Sequence, residues 1–500
     1  MLTTRAIALD GATLTAADVD AVARGGAPVE LAPAARARNQ AAREAIAGLL
    51  ARGAPLYGAT TGVGALRDRT IDDADRERFQ WNLLRSHAVS AGRPLAPELV
   101  RAGMVVRANQ LGAGGAGVAP MLLDALVDAL NAGLTPLTRE LGSLGTGDLP
   151  GLADIALALL GEGRVWRDGE LIDAPAPDRL PRLGLRDALG FISSSAMTAG
   201  RSALLSVDAR ALQARWLEVA ALSFEALDAD PIVLDERVQA ARGFRGQARV
   251  AERMRELLAG ASFHPRGPDR LVQDPYPFRV LPQVDGVAHD AVEHLDAVVW
   301  RELNGRPENA LIDQGAALPT GNFHAAELGA ALDGMRAAFA HSASLIASRV
   351  SAILDPRMSG LSPFLAEDPG PDSGHMMLEY TAHAAAAEVR SLAIPMAVQS
   401  VWASLGVESH ASLAATAADR TAGVLDAMNV LVATELVVAV RALRLAGRTP
   451  AGAGVQKLYA GAAGTLPAGT EDRAFGRDVE TARALLGRSN AATGSQFRPK

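Results

Sequence analysis

The chain contains no cysteine. That excludes disulfides, thiolate metal sites and cysteine nucleophiles. Aromatic residues make up only 4% of its 500 residues, whereas hydrophobic residues make up 49%. Alanine, leucine and valine must therefore fill the core, and such side chains favour close-packed helices over a sheet sandwich. Basic runs are also missing. The net charge is −7 with both signs interspersed, so neither nucleic acid nor an anionic membrane surface is expected as a partner. The opening MLTTRAIALDGATL lacks the basic-then-apolar pattern of a signal peptide, and no apolar run reads as membrane-spanning. A soluble, cytoplasmic protein is expected.

What is present is helical patterning. Thr15 and Asp18 form a capping-box-like pair before a short helix that Gly25-Gly26 closes. Residues 34–51, 73–88, 97–112, 120–132 and the run after Gly151 read as helices. Residues 163–178 read as a β-hairpin turning at Asp168-Gly169. Long Ala/Leu-rich segments follow at 185–228, 234–258, 286–304, 323–354, 373–405 and 409–446. Helices of that length predict a bundle around one large core. The expected fold is all-α: a mainly helical N-terminal catalytic layer over residues 1–200 and a long-helix bundle over 201–500, in one continuous unit. The tail after Gly447 is Gly/Ala/Thr-rich, with its last ten residues expected to fray.

Chemistry concentrates at Gly142–Leu149, GSLGTGDL. Glycine removes the Cβ barrier to tight turns. In Gly145-Thr146-Gly147 a backbone nitrogen can therefore fold back onto the carbonyl two residues earlier. Ring closure with dehydration of Thr146 gives a methylidene-imidazolone electrophile; the alternative is an uncyclised loop in which Thr146 packs or hydrogen bonds. The stretch resembles the GSxGASGDL motif of the histidine/aromatic amino acid ammonia-lyase family, with Gly-Thr-Gly for Ala-Ser-Gly and one residue fewer before the triad. The resemblance continues in order along residues 8–485. It includes Tyr57–Gly64 (YGATTGVG), Asn82–Ala88 (NLLRSHA), Arg107-Ala-Asn109, Gln273–Gly286 (QDPYPFRVLPQVDG), Glu302-Leu-Asn304, Gly321–His324 (GNFH), Asp355–Leu365 (DPRMSGLSPFL) and Glu408-Ser-His410.

The resemblance implies a homotetramer with active sites drawn from three subunits, and an amino acid ammonia-lyase or 2,3-aminomutase acting on a histidine-like or aromatic substrate. It implies Tyr57 as lid base, Thr146 as the reactive centre of the cofactor, Arg279 as carboxylate anchor and Tyr276 as partner of the amine or cofactor. Gln273 would support Tyr276, Asn309 would contact the carboxylate region, and Phe323 would line the cofactor pocket. Ser86, His87 and Glu408 lean toward the histidase branch and a polar substrate ring. The cofactor region departs from the pattern. The family's carbonyl-binding asparagine falls on Ser193, its lid asparagine on Thr60, and the aromatic of GFG on Val63. Residues 305–310 read GRPENA for SATDNP, Ser348-Arg349-Val350 stands for the SERR pair, and Ile394 stands where histidases have histidine. These departures keep open a homologue without the cofactor and with a repurposed pocket.

Two other patterns carry less. Gly112–Gly117 fits GxGxxG but follows a helix, so no nucleotide is expected. His375, Glu379 and His383 have four-residue spacing on one helix face, but HxxxExxxH is not a zinc-protease signature and no metal is expected.

Overall fold

The structure is a computed structural model that describes residues 6–176, 182–264 and 273–487. Its centre is built from the helices Ala196–Leu227, Leu281–Leu303, Ala326–Leu354, Met376–Leu392 and Ala414–Leu445. Helices Ala16–Ala23, Pro33–Ala51, Arg76–His87, Pro97–Gly112, Pro120–Asn131 and Leu149–Leu159 form the N-terminal layer. Small side chains set how closely these layers approach. A Cβ at Gly200 would lie 2.5 Å from the carbonyl of Ala102, so the glycine permits the crossing of Ala196–Leu227 over Pro97–Gly112. Some of the scarce aromatics fill the core, where Trp216 meets Phe339 edge-on at 5.0 Å.

Two helices, Ala326–Leu354 and Ala414–Leu445, are long and apolar enough to cross a membrane by length and composition. This corrects the expectation that no segment reads that way. Most of each apolar window (67% and 78%) is nevertheless buried inside the protein, where one continuous core takes up these faces. The Arg349 guanidinium and Glu435 carboxylate form a bidentate pair in that core, at 2.7 and 3.0 Å, both fully buried. Ser223 donates to the same carboxylate.

The predicted hairpin is present as Arg164–Arg167 paired with Glu170–Asp173. Asp168 and Gly169 take left-handed φ at its turn, as a two-residue hairpin loop requires. Thr135–Pro136 adds a third strand. Short pairings of Ile7–Leu9 with Val29–Leu31, Ala91–Pro94 with Arg139–Leu141 and Leu311–Asp313 with Ala316–Leu318 lack a sequence signal, being only three or four residues each.

Three long segments are shorter as helices than the sequence predicts. The 234–258 segment divides into Glu236–Ala240 and Arg245–Leu257, with Gly243 at left-handed φ between them. The 185–228 segment breaks at Ser193–Ser195, between Asp187–Ile192 and Ala196–Leu227. The 373–405 segment ends at Leu392, just before Ile394-Pro395, because the residue preceding proline is pushed out of helical geometry. Residues 393–413 then run irregularly and carry Glu408 to the functional site. The tail contains helices Gln456–Thr465 and Gly476–Leu486, and the last ten residues lie outside the described ones.

Candidate active site

The GSLGTGDL stretch forms a tight turn leading into the Leu149–Leu159 helix. Gly145 and Gly147 have φ of +81° and +100°, which side chains with a Cβ resist. A methyl at Gly145 would meet Ser412 Oγ at 2.0 Å, so the alanine of the family motif has no room here. Ser412 uses that space to donate to the Gly145 carbonyl at 3.0 Å, and the Ala325 N–H donates to the same oxygen at 3.1 Å. Asp148 anchors the other end. It accepts from Ser143 Oγ at 2.5 Å, the Thr198 N–H at 2.7 Å and Thr198 Oγ at 2.9 Å. Burial pushes its carboxyl above the usual range, and these donors oppose the shift.

Thr146 is nearly buried and donates to Glu408 Oε2 at 3.0 Å. His87 ends the Arg76–His87 helix, with Nδ1 2.8 Å from the Leu83 carbonyl and 3.2 Å from Ser86 Oγ. Burial lowers the His87 imidazole below its ordinary value, while the Leu83 carbonyl and the Glu408 charge pull it back. Ser86 and His87 thus form one polar pair, and Glu408, bonded to Thr146, acts on His87 through its charge.

Tyr57 sits on the adjoining loop. The Gly64 N–H donates to its phenol oxygen at 2.8 Å, leaving the phenol's own hydrogen free for another acceptor. The Ala65 N–H bonds Ser404 Oγ at 3.1 Å, which ties this loop to the segment carrying Glu408. Arg186, fully buried, donates Nε to the Tyr57 carbonyl at 3.1 Å and Nη2 to the Asn309 carbonyl. Its Nη1 has no partner among the described residues, and burial lowers the guanidinium to about 10. Asn309 accepts from the Thr320 N–H through Oδ1 and donates its own N–H to Ser193 Oγ at 3.2 Å. Ser193 is therefore engaged with Asn309. The Phe323 carbonyl accepts from Ser195 Oγ at 2.8 Å.

Gln273, Tyr276 and Arg279 belong to a different segment. Tyr276–Arg279 is a four-residue helix preceding Leu281–Leu303. Tyr276 is 67% exposed, and the Arg279 guanidinium lies 5.9 Å from its ring centre. Among the described residues, no hydrogen bond joins any of the three to the Thr146 turn. Within one chain, hydrogen bonds join Thr146 to Glu408 and, through Arg186, the backbones of Tyr57 and Asn309, while Gln273 and Tyr276 are exposed and Arg279 is half-buried.

Sequence reasoning missed Arg186, Ser412 and Ser404. Arg186 lies outside every quoted motif, and serines in irregular segments carry no spacing signal. The expectation that His375, Glu379 and His383 share a helix face is corrected. His375 precedes the Met376–Leu392 helix and is buried edge-on against Phe475, while His383 is exposed and pairs with Ser351.

A buried hydroxyl-bearing turn bonded to a carboxylate, with a phenol on a nearby loop, fits an enzyme of the carbon–nitrogen lyase and aminomutase class. Residues 14–463 match the aromatic amino acid lyase family, and the chain belongs to it. It is 37% identical to a histidine ammonia-lyase of Geobacillus thermodenitrificans, over 96% of this chain and 97% of the relative. Among solved structures, it is similar to the ergothionase of Treponema denticola in complex with desmethyl-ergothioneine sulfonic acid (TM-score 0.92, 28% identity, 98% and 100% coverage). It is also similar to the tyrosine aminomutase of Streptomyces globisporus (TM-score 0.91, 28% identity, 97% and 98% coverage).

Proposed function

We propose that this chain is a cytoplasmic lyase that removes the amine of histidine or a close imidazole-bearing relative. The observation that carries this reading is the hydrogen bond from Thr146 to Glu408, which sets a carboxylate on the turn. That carboxylate, with the His87 imidazole within reach of its charge, offers an acceptor and a switchable donor, which suits the two nitrogens of an imidazole ring better than a phenyl ring.

Tyr57 takes the β-proton at its phenol oxygen, which the Gly64 N–H supports as negative charge grows. Arg186 fixes the backbone at both Tyr57 and Asn309, so one guanidinium sets the base and the neighbouring amide together. Arg279 grips the substrate carboxylate with its planar fork. Tyr276, supported by Gln273, meets the amine. These three come from a neighbouring copy in a homotetramer, since one chain keeps them apart from its own turn.

The methylidene-imidazolone implied by the family fits the Gly145-Thr146-Gly147 turn. Both glycines hold the required left-handed conformation, and two donors polarise the Gly145 carbonyl that ring closure attacks. When formed, the group supplies an electrophile that no ordinary side chain offers.

A second reading is favoured by Thr146 and Ser193, the two departures at the reactive centre. Threonine places a hindering methyl on the would-be alkene, and Ser193 is already engaged by Asn309. In this reading the turn stays uncyclised, and the substrate is a histidine-derived betaine of the ergothioneine type. Its trimethylammonium leaves as a neutral amine without electrophilic activation. Intact mass and product analysis separate the two readings. Ring formation removes two waters, about 36 Da, and histidine then yields ammonia and a conjugated acrylate. Unshifted mass with trimethylamine released from the betaine selects the second reading. No turnover of either substrate class overturns both.

A further inference from the structure

His324 Nε2 lies 3.0 Å from His410 Nδ1, and the two rings are tilted by 33° with centres 5.1 Å apart. One ring donates and the other accepts. The pair joins two irregular segments 86 residues apart in sequence. Each segment holds the reactive turn immediately beside its histidine. Ala325, next to His324, donates its N–H to the Gly145 carbonyl. Ser412, two residues after His410, donates to the same oxygen, and Leu413 donates its N–H to the Leu144 carbonyl at 2.9 Å. Glu408, two residues before His410, accepts from Thr146.

We propose that the His324–His410 bond is a clamp that positions the Gly145-Thr146-Gly147 turn. It locks together the two segments that supply both donors to the Gly145 carbonyl and the acceptor for Thr146. Neither segment is held by regular secondary structure at these residues, since 319–325 precede the Ala326–Leu354 helix and 407–413 precede Ala414–Leu445. Each segment has other anchors, Thr320 and Asn322 to residues 306–309 and Ala411 to Ser400, but the histidine pair is the side-chain bond that joins the two segments directly beside the turn. His324 and His410 are positioning residues. They act through Ala325, Ser412 and Glu408, whether or not the turn cyclises. The inference rests on the proposed function only in taking this turn as the part of the site that faces substrate.

Hydrogen exchange of the intact protein, read by mass spectrometry over peptides spanning 319–326 and 408–414, tests the clamp without reference to activity. His324→Ala and His410→Ala are each expected to speed exchange in both peptides tenfold or more, although each changes only one segment. His410→Gln, whose amide can still meet His324, is expected to keep exchange within about twofold of the parent. Where turnover is measurable, the alanine variants lower kcat while KM stays nearly constant. Should His324→Ala fail to fold, His410→Ala at its exposed position carries the test. Unchanged exchange in the alanine variants overturns the clamp, as does a His410→Gln variant indistinguishable from His410→Ala. Loss of the proposed function shows separately, in the mass and product assays of the parent protein.

Discussion

Thr146 Oγ1 donates to Glu408 Oε2 across 3.0 Å, joining residues 262 positions apart. The contact puts a carboxylate directly on the hydroxyl of the Gly145-Thr146-Gly147 turn, and the proposed function makes it the group that sets the side-chain pocket. Glu408→Gln keeps the size and one acceptor but removes the charge. Turnover of histidine is expected to fall about tenfold or more, since a charge-assisted hydrogen bond is worth roughly 1.5–3 kcal/mol. Relative preference for an uncharged aromatic substrate is expected to rise. Competitive turnover of histidine against phenylalanine checks this, and an unchanged ratio removes Glu408 from specificity.

Tyr57→Phe deletes a single oxygen. Loss of a general base lowers kcat by about 10²–10⁴-fold. The Gly64 N–H loses its acceptor but lies on a loop open to water, so the melting temperature is expected to hold within a few degrees. A variant that retains half of parental kcat shows that the proton goes elsewhere.

Arg279→Lys retains the charge and loses the fork. An increase of about 10–100-fold in KM is expected, because bidentate geometry and not charge alone grips a carboxylate. Tyr57→Phe and Arg279→Ala subunits, each nearly inactive, are expected to regain activity when co-assembled, since some sites then combine an intact Tyr57 with an intact Arg279. No recovery on mixing argues for a site within one chain.

Arg186→Lys leaves a cation in the pocket but cannot reach both carbonyls as the guanidinium does. Leaving a buried carbonyl unpaired costs about 1–3 kcal/mol. Both lower thermal stability and lower kcat are expected, because the Tyr57 and Asn309 backbones lose their common support. Parental values of both quantities contradict this role.

His375 supplies a pH-dependent term in stability. Burial, with Arg441 and Arg473 nearby, lowers its imidazole from the ordinary 6.5 to about 3. The unfolded chain therefore binds a proton that the folded chain refuses between those values. The stability contribution is complete above pH 6.5 and is lost as pH falls toward 3, about 5 kcal/mol at most. His375→Met, which cannot charge, is expected to flatten the fall in melting temperature between pH 6.5 and 4. An equally steep fall assigns acid sensitivity to other groups.

The sequence by itself determined the helical class, most of the long helices and the reactive turn, because these follow from local rules. Helical periodicity runs through 97–112 and 414–445, Asp168-Gly169 specifies its turn, and Gly-Thr-Gly is legible as a stretch without Cβ barriers. The ordered motifs also singled out Tyr57, Thr146, Asn309 and Glu408 as candidates. Only the tertiary structure decided which groups meet. Ser412 occupies the space that an alanine methyl at 145 would need. Arg186 lies in no motif yet holds two site residues by their carbonyls. The irregular path of 393–413 delivers Glu408 to a turn more than 250 residues earlier. Such contacts join atoms with no shared periodicity or spacing, and packing of the long helices fixes where their connecting segments come together.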